Sequence, residues 1–144
     1  MTARISESSF NPWDEIQRYQ SKLSLQNKYG ATAVFIGSMR DFNEGDDVHS
    51  MTLEHYPGMT DKYLEKITQE ASKKWDVLDC LVVHRVGVIQ PNEPIVLVAV
   101  WSAHRAAAYD ANRYIMEELK SHAPFWKKEQ LADGSRWVEK NTSG

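Results

Sequence analysis

The run Ile95-Val96-Leu97-Val98-Ala99-Val100 carries no polar side chain on either face, so a strand built from it has to be covered on both sides. Only a central place in a sheet, with other layers packed above and below, meets that demand. The run feeds directly into Ser102-Ala103-His104-Arg105, where a helical pattern begins. Ala107, Tyr109, Ala111, Tyr114, Ile115 and Leu119 recur mostly at three- and four-residue intervals, which predicts a helix with one face in a core. Ser102 is placed to cap it. A capping box would put Glu or Gln at position 105; this chain has Arg105 with His104 beside it, where the helix dipole disfavours positive charge. An anion would meet the unpaired first-turn N–H groups and both side chains, so the helix start reads as an oxyanion site.

At the other end, Lys120 sits in the last turn, where a cation is favoured whether or not it has a further role. Pro124 forces Ala123 out of the helical region and re-aims the chain, so Lys127 in Phe125-Trp126-Lys127-Lys128-Glu129 need not point along the helix. The two lysines can therefore converge on one pocket. Phe125 and Trp126 are equally compatible with a packed hydrophobic anchor.

Asn11-Pro12-Trp13-Asp14 predicts a helix start, with Trp13, Ile16 and Tyr19 as a short apolar stripe. Residues 31–37 predict a buried strand ending at Ser38-Met39-Arg40, and a polar loop from Asp41 to Asp47 leads to a half-exposed strand over 48–55. Tyr56-Pro57-Gly58-Met59 is turn chemistry before a second helix with Tyr63, Leu64, Ile67 and Ala71 inward. Residues 79–86 predict another strand, and Arg136-Trp137-Val138 a short last one. Paired strands between two main helices predict an α+β fold, a mixed or antiparallel sheet with packed helices.

With 144 residues the chain fits one domain, 1–144, whose ends at 1–10 and 139–144 are expected to be flexible. A net charge of -3 argues against a nucleic-acid binder, which needs a basic face. Cys80 stands alone, and none of His49, His55, His84, His104 and His122 lies in a metal-ligand spacing, so no metal is expected. His84 and Cys80, within one apolar strand, read as buried core residues. No signal-like leader or membrane-spanning run is visible, and a cytoplasmic protein is expected. Phosphate loops, dinucleotide turns and nucleophile elbows are missing as well. What remains is a cationic set: Arg40, His104, Arg105, Lys120, Lys127 and Lys128.

Several blocks, in order, resemble the large catalytic subunit of molybdopterin synthase: Gly37-Ser38-Met39-Arg40, Leu53-Glu54-His55-Tyr56-Pro57-Gly58-Met59, His84-Arg85-Val86-Gly87, Ser102-Ala103-His104-Arg105, and Lys120 through Pro124 to Glu129. The resemblance implies an enzyme of molybdenum cofactor biosynthesis that makes molybdopterin from cyclic pyranopterin monophosphate. Its sulfur donor would be the C-terminal Gly-Gly thiocarboxylate of a small ubiquitin-like partner, and no resident cofactor is implied. It also implies a β-hammerhead-like element and a central homodimer within a heterotetramer. By position, Lys120 and Lys127 match catalytic lysines, while Arg40, His104 and Arg105 match residues that hold the anionic substrate, the last two from the neighbouring protomer. Ser38, Met39, Lys128 and Glu129 fall in binding segments, and Lys120 is expected to have a lowered pKa. Lys140 stands where some relatives carry an Arg. Two rival readings are a non-enzymatic adaptor that docks an acidic partner through residues 125–128, and a phosphate-ester hydrolase using His104 and Arg105.

Overall fold

In a computed structural model of the protein, which describes residues 1–25 and 27–138, the chain runs β1 (Thr2–Ser6), α1 (Pro12–Lys22), β2 (Ala31–Ser38), β3 (Phe42–Asn43), β4 (Asp46–His55), α2 (Met59–Lys74), β5 (Val77–Arg85), β6 (Gly87–Ile89), β7 (Pro94–Ser102), α3 (Arg105–Ser121), β8 (Phe125–Leu131) and β9 (Gly134–Trp137). The apolar run is β7, and it lies inside a four-stranded sheet of order β1-β5-β7-β2. Both of its neighbours are antiparallel to it. One face, with Val96, Val98 and Val100, packs with Cys80 and Val82 against Leu64 and Ile67 of α2 and Ala111 and Ile115 of α3. The opposite face, with Leu97, Ala99 and Trp101, meets Ile16 and Tyr19 of α1. Each such fully buried aliphatic side chain stabilises the fold by roughly 1.5–3 kcal/mol, which is why this strand sets the layering.

A second, antiparallel sheet of order β3-β4-β8-β9, with β6 also paired to β4, closes over its own core of Met39, Val48, Met51, Leu53 and Ile89. The fold is α+β, with one mixed and one antiparallel sheet. Asn11 caps α1 by accepting from Trp13 N and Asp14 N, as its sequence predicts. Gly30 brings the start of β2 so close to the start of α3 that a Cβ there would lie 2.5 Å from the Ala103 carbonyl oxygen.

Four expectations meet a different outcome in the structure. Residues 2–6, expected within a chain end, form β1, parallel to β5, with Ala3 and Ile5 packed against the α2–α3 core. Ser102 ends β7 instead of capping α3; its hydroxyl donates to Asp76 O at 2.8 Å, and His104 is the cap residue, with no side-chain cap bond. The buried face of α3 is Ala108, Ala111, Asn112, Ile115, Met116 and Leu119, one step round from the expected stripe, so Tyr109 is 68% exposed. The last strand, expected at 136–138, spans Gly134–Trp137.

Candidate active site

The two sheets and the stretch of α3 from Tyr109 to Lys120 enclose a cavity of about 670 Å³. That is ample for a small organic substrate and the end of a peptide. Three pieces of chain bring the functional groups to it. β2 ends in an irregularity between Gly37 and Ser38, after which Met39 exchanges backbone hydrogen bonds with the β6–β7 turn, its N–H donating to Glu93 O and its carbonyl accepting from Asn92 N, both at 2.9 Å. This fixes Ser38, Met39 and Arg40 on the cavity wall. Met39 is buried there, and the Arg40 guanidinium lies 5.0 Å from the Phe42 ring centroid.

α3 delivers Lys120 from its last turn. Past Pro124 the chain is the strand β8. Thr60, fully buried at the start of α2, accepts from Tyr56 N at 2.9 Å and donates to Pro124 O at 3.1 Å, pinning the point where β8 begins. The alternation of β8 then turns Phe125, Lys127 and Glu129 to the cavity. Lys127 is thereby brought against Lys120, as the sequence allowed. Burial is the main cause that pushes the Lys127 amine down to about 8, aided by the Lys120 charge, a hydrogen bond with Lys120, and Arg40.

Glu129 is 6% exposed, and its carboxylate is held within the fold. Oε1 accepts from Arg136 Nε at 2.9 Å and Oε2 from Asn43 Nδ2 at 3.0 Å. Arg136 also donates to Asp46 Oδ2 at 2.7 Å and to Asn43 O at 2.9 Å. The group clamps the β3–β4 hairpin, whose Glu44-Gly45 turn has both φ angles positive, onto β8 and β9. Phe42 and Asn43 of that hairpin form part of the cavity wall.

Other expected site residues lie elsewhere. Lys128 is exposed on the outer side of β8, with its amine 5.5 Å from the Trp137 ring centroid. His104 and Arg105 are exposed at the opposite end of α3 and do not border the cavity of the same chain. Fifteen residues of helix separate Arg105 from Lys120, about 22 Å at 1.5 Å per residue. Lys140 lies outside the described residues. His84, read from sequence as a core residue, does border the cavity, stacked on Phe125 with ring centroids 4.0 Å apart. A His on an apolar strand carries no sign of that role; the packing of Phe125 of β8 against it creates it. Cys80 is fully buried, its thiol pushed up to about 12 mainly by burial, which suits an inert core group.

Two amines, one with its pKa lowered to about 8, and a guanidinium on the wall of a preformed cavity define the class: an α+β protein equipped to bind an anionic small molecule and move protons beside it. Comparison with known proteins narrows this. Residues 8–122 match the family model described as "MoaE protein". The molybdopterin synthase catalytic subunit of Haemophilus influenzae is 52% identical over 92% of this chain and 87% of its own length. The crystal structure of molybdopterin synthase from Staphylococcus aureus aligns over 94% of this chain and 96% of its own, at 34% identity and a TM-score of 0.84. A complex of subunits 1 and 2 of a molybdopterin-converting factor from Helicobacter pylori shares the fold, with a TM-score of 0.79 at 18% identity over 96% of this chain and 90% of that one. The chain belongs to the MoaE family.

Proposed function

We propose that the chain is the catalytic subunit of a molybdopterin synthase, a sulfurtransferase that converts cyclic pyranopterin monophosphate into molybdopterin. The observation that carries this reading is the Lys120–Lys127 pair in one cavity with Arg40, within a chain of this family. Arg40 meets the substrate phosphate, where its planar fork gives bidentate contacts. Lys120 stays near the carbons that receive sulfur. Lys127, an uncharged amine above about pH 8, takes up or returns protons as each thiolate forms. Glu129 acts through Arg136 and the hairpin, shaping the wall. No resident cofactor enters the proposed reaction.

The sulfur donor in this reading is the C-terminal thiocarboxylate of a small ubiquitin-like partner, whose extended Gly-Gly end is slim enough to enter the cavity beside the pterin. His104 and Arg105 serve the cavity of a second copy, so that a homodimer flanked by two small subunits makes the working heterotetramer. The adaptor reading has less support: Phe125 and Lys127 face the cavity while Trp126 and Lys128 face outward, so residues 125–128 do not form one docking face.

The test is mass spectrometry of the pterin after incubation with thiocarboxylated partner. Gain of two sulfurs is expected, and an unchanged pterin would refute the reading. For the shared site, Lys120→Ala and Arg105→Ala variants are each inactive alone, and unfolding and refolding them together should restore about a quarter of wild-type activity, because half the dimers are mixed and each carries one intact site. No restoration would confine each site to one chain.

A further inference from the structure

The cavity wall contains one buried ionisable ring to which the proposed reaction gives no part. His84 is 8% exposed, and its ring lies almost flat on Phe125, with an interplanar angle of 17°. Its Nδ1 is 2.9 Å from Arg85 O. A carbonyl oxygen can only accept, so Nδ1 carries the proton and the lone pair belongs to Nε2. Burial is the main cause that pushes the titration of the ring down, to about 4, and Lys127 from β8, Lys120 from α3 and His55 from β4 push the same way. Arg85 lies next along β5, and Arg40, Glu129, Arg113 and Glu117 are the other charged groups on the cavity wall among the described residues. The ring is therefore neutral wherever an enzyme of this kind works.

We propose that His84 is the positioning residue of the lysine pair: its Nε2 accepts a hydrogen bond from one of the two amine heads and holds that head toward the substrate. The chemistry suits a neutral imidazole better than the alternatives. A carboxylate in its place would hold a lysine equally well but would favour the ammonium form and raise its pKa. A purely apolar ring would stack on Phe125 and offer no acceptor. A protonated imidazole would add another cation beside Lys120, Lys127 and Arg40. Neutral His84 orients the amine while favouring its ammonium form far less than a carboxylate would. The inference rests on the reading of the lysine pair as the reacting centre.

The experiment follows the lysine side-chain NMR signals through a pH titration of the wild type, His84→Phe and His84→Gln, together with turnover. His84→Phe keeps a ring on Phe125 and removes the acceptor. An acceptor stabilises the ammonium more than the amine, so the midpoint of whichever amine His84 holds should fall by about half a pH unit in His84→Phe, from near 8 if that amine is Lys127. Turnover should fall roughly tenfold to a hundredfold with little change in KM. His84→Gln places an amide oxygen near the position of Nε2 and should recover most of both losses. Wild-type titration and turnover in His84→Phe would overturn the proposal, as would equal impairment of the two variants. Should His84→Phe fail to fold, the wild-type ring decides: two-bond nitrogen–proton correlations must show the Nδ1–H form with a hydrogen-bonded Nε2, and the Nε2–H form overturns the proposal. The titration needs no substrate, so a failure of the sulfur-transfer reading and a failure of this inference are separately visible.

Discussion

Replacing Lys127 with methionine should make the protein more stable at neutral pH while abolishing its activity. A lysine whose folded pKa has dropped from 10.5 to about 8 is an ammonium buried at a cost. At 1.36 kcal/mol per pH unit the displacement corresponds to roughly 3 kcal/mol. Lys127 keeps some contact with solvent, so a gain of about 1–3 kcal/mol is the working figure, or roughly 3–9 °C in Tm for a chain of this size. The pH dependence separates this cause from ordinary packing. Below about pH 8 the lysine is charged both folded and unfolded, and the cost is fully present. Between about 8 and 10.5 the unfolded chain binds the extra proton, so wild-type stability rises with pH; above 10.5 both states are neutral and the cost is gone. Urea unfolding of wild type and Lys127→Met at pH 7 and at pH 10.5 should therefore show an advantage for the variant that shrinks with pH. A variant no more stable at pH 7, or one whose advantage is the same at both values, would refute the reasoning.

Lys120→Ala removes a neighbouring charge and should raise the Lys127 midpoint above 8 in an NMR titration, while sulfur transfer falls by roughly a hundredfold or more. Glu129→Gln weakens the clamp on Arg136 and should cost about 1–3 kcal/mol in denaturant unfolding, with loss of substrate affinity as the hairpin loosens. His84 stays neutral in the fold down to about pH 4 against an ordinary value of 6.5, so the unfolded chain takes up the extra proton in that window and stability declines as pH falls through it; His84→Phe should lose that part of the acid-side slope in unfolding measured from pH 7 to pH 4. Gly30→Ala puts a methyl group against the Ala103 backbone oxygen and should lower stability by about 1–3 kcal/mol, read as a drop in Tm.

The order of these effects reflects how the site is built. The helix end, the β2 terminus and β8 are each rigid, and each is pinned by a backbone or buried contact: Asn112 Nδ2 to Ala33 O and Val98 O, Met39 to the β6–β7 turn, Thr60 to Pro124 O. A cavity held in this way keeps two amines together before any ligand arrives, which is the arrangement that makes a lowered pKa possible.

Sequence by itself determined the layering of this protein, because six consecutive apolar residues at 95–100 can be satisfied only in a covered central strand. It also singled out Lys120, Lys127 and Arg40, since their blocks resemble a known family in order and spacing. Local pattern stopped short at β8, whose inward side mixes Phe125, Lys127 and Glu129, so its two-residue period has no apolar signature. It stopped short at β1 for a similar reason: five residues become a strand only when the edge of β5 is there to pair with them. Tertiary structure alone decided that Glu129 belongs to a clamp, that Lys128 faces outward, that His104 and Arg105 lie a helix length from the lysines, and that His84 borders the cavity. Those outcomes depend on which charges and rings long-range pairing brings within a few ångströms of each other, and chain spacing does not encode that proximity.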